Sequence, residues 1–222
     1  MKASITFVDV HNFACDEVLL RESRALLSRY YRDPDVPLRY AIDVEATRVY
    51  MANDGNSVRS IFFARMPEKV SYGTGLAVYL GLTAGRRELC DASSRHLWSQ
   101  FLEDCRAAVG PTKRLLAWYR TATPLGLLPA RSLLHKSEPN DNGSISELGL
   151  GIVRELRATH SMPASAAGDH PFVVRSYAHA RYNELECEFV AKWRERHPSD
   201  LIERLGVDER RGDRLLMFGY VP

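Results

Sequence analysis

Val70 to Gly85 is a run of sixteen residues with four glycines and no charged side chain. Its centre, Gly75-Leu-Ala-Val-Tyr-Leu-Gly-Leu-Thr-Ala84, is apolar at odd and even positions alike. A strand with that pattern must be covered on both faces, which puts it in the middle of a sheet packed between helices. Read as a helix, the run is too short and too interrupted by glycine to cross a bilayer, so no membrane-spanning segment is expected.

The rest of the chain is organised around that strand. Ser4 to Val10 reads as a first strand, and a helix begins near Asp16 with Val18, Leu19, Ala25, Leu26 and Tyr30 on one stripe. Asp33-Pro-Asp-Val-Pro37 reads as its stop. Thr47 to Met51 and Val58 to Met66 are strand-like and flank Asn53-Asp-Gly-Asn56, a hairpin signal. Beyond the central strand a charged turn leads at Asp91 into a helix with Leu97, Trp98, Phe101, Leu102, Cys105, Ala108 and Val109 at helical spacing. Gly110-Pro111 ends that helix, and Lys113 to Arg120 is the next strand. The two strands around Leu76 to Thr83 and Leu115 to Tyr119 therefore bracket a crossover helix. Leu125 to Lys136 reads as a helix broken by Pro129, Glu138 to Ser144 as a loop, and Ile145, Leu148, Ile152, Val153 and Leu156 as one face of another helix. Phe172 to Ser176 reads as a short strand, Asn183 to His197 as a helix, and Leu215 to Val221 as a final strand apolar enough to join the main sheet.

The fold class expected is α+β, a mixed central sheet flanked by helices. Residues 1–136 would form its core and 137–222 a helical extension whose last strand returns to the sheet, all in one compact unit. With 222 residues, 45% of them hydrophobic, the chain can bury a core without disulfide or metal. A charged fraction of 26% and a net charge of +2 argue against disorder and against a strongly basic nucleic-acid binder. The four cysteines lack CxxC spacing and read as reduced, packed thiols, and the seven histidines form no HxxxH or HxH pair, so no metal site is expected. Lys2 followed by Asp9 leaves no apolar stretch of signal-peptide length, and a cytoplasmic protein is expected.

Chemistry concentrates where the central strand passes through Gly85-Arg86-Arg87-Glu-Leu-Cys90-Asp-Ala92-Ser93 into the following helix. The first free N–H groups of a helix attract anions, and Arg86 and Arg87 add two permanent charges beside them. This order of elements, with the Leu82-Thr83-Ala84 segment, resembles the GCN5-related N-acetyltransferase (GNAT) superfamily over residues 1–136. In that family the turn before the long helix matches Arg/Gln-x-x-Gly-x-Gly/Ala. Here Arg87 and Ala92 fit the outer positions and Cys90 stands where glycine is expected. Phe172-Val-Val-Arg-Ser176 and Arg211-Gly-Asp-Arg-Leu-Leu-Met-Phe-Gly219 are similar to the C-terminal part of a bacterial branch with extra helices.

The resemblance implies an acyl-CoA N-acyltransferase fold that opens between two splayed parallel strands to bind acetyl-CoA or a longer acyl-CoA, with an acyl carrier protein as another possible donor and an amine as acceptor. The backbone of Leu82, Thr83 and Ala84 would pair with the pantetheine amides. Arg86, Arg87 and the N–H groups of Cys90, Ala92 and Ser93 would hold the diphosphate. The segment from Gly75 to Ala84 carries no carboxylate to serve as base. For the acid, the nearest candidates are Tyr119, at the end of its strand, and His135, on the following helix. Each also has a plainer reading, Tyr119 as an aromatic packed beside Trp118 with its hydroxyl at the rim and His135 as a solvated helix-end histidine. The alternative function is a non-catalytic acyl-CoA-binding or interaction protein on a degenerate version of the fold.

Overall fold

Alternating side chains of the strands feed two separate cores. Tyr50, Ala52, Phe62 and Ala64 point into one, and Val49, Met51, Ile61 and Phe63 into the other. The sheet is thus covered on both sides. The computed structural model describes residues 4–53, 57–70, 75–85, 92–196 and 200–222. In chain order the elements are β1 (Ser4–Asp9), α1 (Val10–Ala14), α2 (Glu17–Leu27), α3 (Asp35–Tyr40), β2 (Arg48–Asn53), β3 (Val58–Val70), β4 (Gly75–Gly85), α4 (Ala92–Val109), β5 (Leu115–Thr121), α5 (Pro124–Leu133), β6 (His135–Glu138), α6 (Glu147–Thr159), β7 (Val173–Val174), α7 (Glu184–Arg196), α8 (Leu201–Arg204) and β8 (Arg214–Tyr220).

The eight-stranded sheet has the order β1-β2-β3-β4-β5-β8-β6, with β7 also paired to β8. β1 to β4 are successive antiparallel neighbours, β4 and β5 are parallel across the α4 crossover, and β8 inserts antiparallel between β5 and β6. Leu97, Trp98, Phe101 and Leu102 of α4 and Leu127 and Ala130 of α5 cover one face, while Phe13, Leu26, Leu27 and Leu38 from α1 to α3 cover the other. The mixed sheet flanked by helices and the return of the last strand are as expected from the pattern of apolar residues. Among the described residues no helix is long and apolar enough to cross a membrane.

Two segments differ from the sequence reading. α2 ends at Leu27, before Tyr30 and ahead of Asp33 to Pro37, and that segment does not stop it but opens α3, followed by a π-helical turn over Ala41–Glu45. Pro34 sits at the N-cap of α3 and Pro37 within its first turn, where N–H groups have no intrahelical partner to lose. Pro129 lies inside α5 without breaking it, and the helix ends instead at Leu133. The chain then extends because β8 offers an edge. His135 pairs with Tyr220 and Glu138 with Phe218, so His135 and Lys136, expected on a helix, and Glu138, expected in a loop, belong to β6.

Candidate active site

β4 and β5 are paired from Leu76↔Leu115 to Leu80↔Tyr119 and no further. β4 continues to Gly85 along β3, while Arg120 and Thr121 of β5 stay with Leu216 and Leu215 of β8. The divergence has a local cause. Between the pairs Ala64↔Leu80 and Phe62↔Thr83, β4 carries one residue more than β3, a bulge that bends the strand. Gly81 occupies it. A Cβ there would lie 2.6 Å from the Phe63 carbonyl oxygen and 2.9 Å from Cε1 of Tyr79, so only glycine allows the two strands this approach.

Where the strands part, a cavity of about 1150 Å³ opens. Leu80 to Gly85 and Tyr119 to Thr121 flank it. Tyr30, Tyr31, Pro37 and Tyr40 wall it on the α2/α3 side, Trp98, Gly126 and Leu128 on the α4/α5 side, and Tyr177, Tyr182 and Glu186 bring the C-terminal part of the chain to it. The cavity therefore passes through the sheet. Leu82, Thr83 and Ala84 all line it on the stretch of β4 that β5 has left, with no ladder partner on that side among the described residues. Trp98 Nε1 donates to Thr83 Oγ1 at 2.9 Å and that hydroxyl donates to the Gly81 carbonyl at 3.2 Å, which fixes the strand through the bulge. The Tyr30 hydroxyl donates to the carbonyl of Gly85. An extended ligand backbone fits this edge, because a strand without a neighbour presents unsatisfied N–H and C=O groups.

Tyr119 lines the cavity at the last paired position. It is 2% exposed, and its hydroxyl is buried with no hydrogen-bond partner among the described residues. Burial pushes its phenol well above the ordinary range, so it holds its proton at neutral pH. The packing expectation needs correction: the ring faces Trp98, at 6.1 Å between centroids, while Trp118 points to the opposite face and packs at a tilt against Tyr79 at 4.3 Å and His160 at 4.5 Å between centroids. His135 is corrected in place as well. It is exposed on β6, outside the cavity wall, because pairing with β8 takes it off the helix. Arg86, Arg87 and Cys90 lie outside the described residues, and Ala92 and Ser93 are the first two residues of α4.

Several lining residues had no signal strong enough to single them out. Glu186, one of three alternating glutamates at the start of α7, is only 5% exposed, whereas its neighbours Glu184 and Glu188 are exposed. Tyr31 and Tyr182, whose phenols burial raises, pack at a tilt 5.2 Å apart beside it, and Arg214 is buried nearby with a bond to the Ala180 carbonyl at 3.2 Å. Arg120 donates to the Tyr79 hydroxyl at 2.6 Å. The adjacency of Arg120 to Tyr119 at the end of an apolar strand was the available clue.

No protein-family model and no curated protein matches the sequence. Among solved structures the chain is similar to the GNAT family N-acetyltransferase YhbS of Escherichia coli in complex with CoA, at 14% identity and a TM-score of 0.38 over 54% of this chain and 62% of that one. An aminoglycoside acetyltransferase from an uncultured soil metagenomic sample, in complex with sisomicin, aligns at 12% identity and TM-score 0.41 over 59% of this chain and 86% of its own. The GphF GNAT-like decarboxylase in complex with isobutyryl-CoA aligns at 12% and 0.38 over 97% of this chain and 98% of its own. At these scores the likenesses carry no argument, and the architecture is read from the strand order of this chain. Antiparallel β1 to β4, a bulge that turns β4 away from its parallel neighbour β5, and α4 as the crossover between them form the mixed α+β sheet flanked by helices, open between β4 and β5, that the sequence resemblance implied.

Proposed function

We propose that this chain is a divergent member of the GCN5-related N-acetyltransferase superfamily that transfers an acyl group from acyl-CoA to an amine. The observation that carries the reading is the parting of β4 and β5 after Leu80 and Tyr119, with a cavity passing through the sheet at that point. Leu82, Thr83 and Ala84 pair through their backbone with the pantetheine amides, as an added strand would. Arg86, Arg87 and the N–H groups from Cys90 through Ala92 and Ser93 hold the diphosphate. Positioning supplies most of the rate, since it turns an encounter of two molecules into a reaction within one complex. The amine nitrogen bonds to the thioester carbonyl carbon, the C–S bond breaks, and Tyr119 protonates the departing thiolate, while the proton lost by the amine passes through the open cavity to restore the Tyr119 phenol. The size of the cavity and apolar residues in its wall, Val36, Leu128 and Phe189, support a longer acyl chain, delivered by coenzyme A or by an acyl carrier protein.

The test is calorimetric titration of coenzyme A, run with a free-thiol assay in which acetyl-CoA and longer acyl-CoAs meet pooled amino acids and amines. Binding with turnover supports the transferase. Binding without turnover against any acceptor supports the non-catalytic alternative, and no binding removes both. Arg87→Ala is expected to weaken coenzyme A binding by about 1–3 kcal/mol, one charge-assisted bond, and an unchanged affinity would remove Arg87 from the site.

A further inference from the structure

Trp98 of α4 lies in the cavity wall where β4 and β5 part, and it touches both strands. Its indole N–H donates to Thr83 Oγ1 at 2.9 Å, on the stretch of β4 beyond the ladder. Its ring lies 6.1 Å from that of Tyr119, the last rung of β5. Thr83 passes the contact on, since its hydroxyl donates at 3.2 Å to the carbonyl of Gly81, the residue in the bulge. Phe62 of β3 packs against the same indole at 5.8 Å between centroids, and Trp98 is only 6% exposed. Contacts with three strands thus hold one side chain of the helix in place.

An indole suits this place because it combines a wide apolar ring with one donor and no acceptor, so it can pack toward β5 while its N–H answers an oxygen on β4. The separation it spans is the one that acyl transfer depends on. Thr83 belongs to the edge assigned to the pantetheine, and Tyr119 carries the proton assigned to the departing thiolate. Displacing one against the other by about 1 Å can cost about 100-fold in rate. α4 also opens with Ala92 and Ser93, at the end assigned to the diphosphate, and Trp98 follows Ser93 by about 7.5 Å along the same axis at the rise of an α-helix. One rigid helix therefore refers the phosphate end, the thioester edge and the acid to one another.

Resting on the acyl-CoA reading above, we propose that Trp98 is a positioning residue for the transfer step, holding the Thr83 edge of β4 at the distance from the Tyr119 hydroxyl that the thioester requires. Trp98→Phe keeps a ring against Tyr119 and loses the donor; Thr83→Val keeps the shape of the threonine and loses the acceptor, and serves if the first variant does not fold. With acetyl-CoA, or whichever longer acyl-CoA turns over, each is expected to lower kcat about tenfold or more while KM for the thioester stays within about threefold. The double variant should be no slower than the slower single one, because both remove the same bond. Thr83→Ser, which keeps the hydroxyl, should recover most of the rate lost in Thr83→Val. The bond is also read without substrate. The three tryptophans give three indole signals in a proton–nitrogen correlation spectrum. Trp98→Phe identifies one of them by its loss, and Thr83→Val should shift that signal. A wild-type kcat in either folded variant, losses that multiply in the double variant, or an indole signal indifferent to Thr83→Val overturns the proposal. A wild-type protein without turnover overturns the transferase reading and the positioning role with it, whereas an active wild type with unaffected variants overturns the positioning role alone.

Discussion

A buried hydroxyl with no partner is an uncommon thing for a protein to keep, since an unmet donor costs about 1–3 kcal/mol. Tyr119 keeps one, among the described residues, at the last rung between β4 and β5. Tyr119→Phe is therefore expected to fold with equal or slightly greater stability in urea, by up to about 1 kcal/mol, while turnover falls about 100-fold or more, as for loss of a general acid. A turnover equal to wild type would leave Tyr119 as packing alone. Tyr119 could be picked out in the sequence by its place at a strand end, but the burial of its hydroxyl could not, because that depends on α4 bringing Trp98 to the same face. His135 shows the converse. A solvated helix end was the local reading, and only the edge of β8 decided that the residue belongs to a strand.

At the scale of elements, β4 carries both the structural and the functional argument. Its apolar run, alike on both faces, was sufficient to place it centrally, and its divergence from β5 follows from one extra residue and one glycine. Gly81→Ala would press a Cβ against the Phe63 carbonyl, a backbone atom that cannot swing aside. We expect a loss of about 1–3 kcal/mol in urea unfolding, typical of overpacking, together with weaker coenzyme A binding as the bulge relaxes. A stable Gly81→Ala protein with wild-type affinity would show that the bulge does not set the opening. The bulge itself was invisible beforehand, since a glycine in a strand signals close approach without saying from which neighbour. Pro129 was overread for a related reason: one lost hydrogen bond is tolerated when Leu127 and Ala130 of the same helix are buried in the core.

For the whole molecule, the last strand is a central one. Leu215, Leu216, Met217 and Phe218 of β8 are at most 1% exposed, between β5 and β6. Burial of these side chains contributes roughly 6–12 kcal/mol, comparable with the entire stability of a domain. Deletion of residues 214–222 is accordingly expected to prevent folding, seen as loss of the cooperative thermal transition in circular dichroism; a truncated chain that still melts cooperatively would mean that residues 1–213 form a self-sufficient core. Alkaline pH acts on the whole molecule as well. Tyr31, Tyr79 and Tyr182 are raised, chiefly by burial, above the ordinary phenol value of 10.0. The folded protein thus holds these protons where the unfolded chain gives them up. Stability should be level below pH 10 and fall as pH rises past it, by about 1.4 kcal/mol per pH unit for each such tyrosine. Urea midpoints that stay constant up to pH 11 would contradict this.

Periodicity and punctuation alone determined the order of elements from β2 through α4 to β5, the central place of Gly75 to Ala84, the crossover helix and the return of the last strand, because each depends on which side chains must leave water within one stretch of chain. The tertiary structure decided the rest. The gap between β4 and β5, the orphaned hydroxyl of Tyr119, the approach of Trp98 to Thr83 and Tyr119 and the burial of Glu186 each require residues distant in sequence to meet. No local pattern encodes such meetings, since they arise only when strands are bent and helices docked over them.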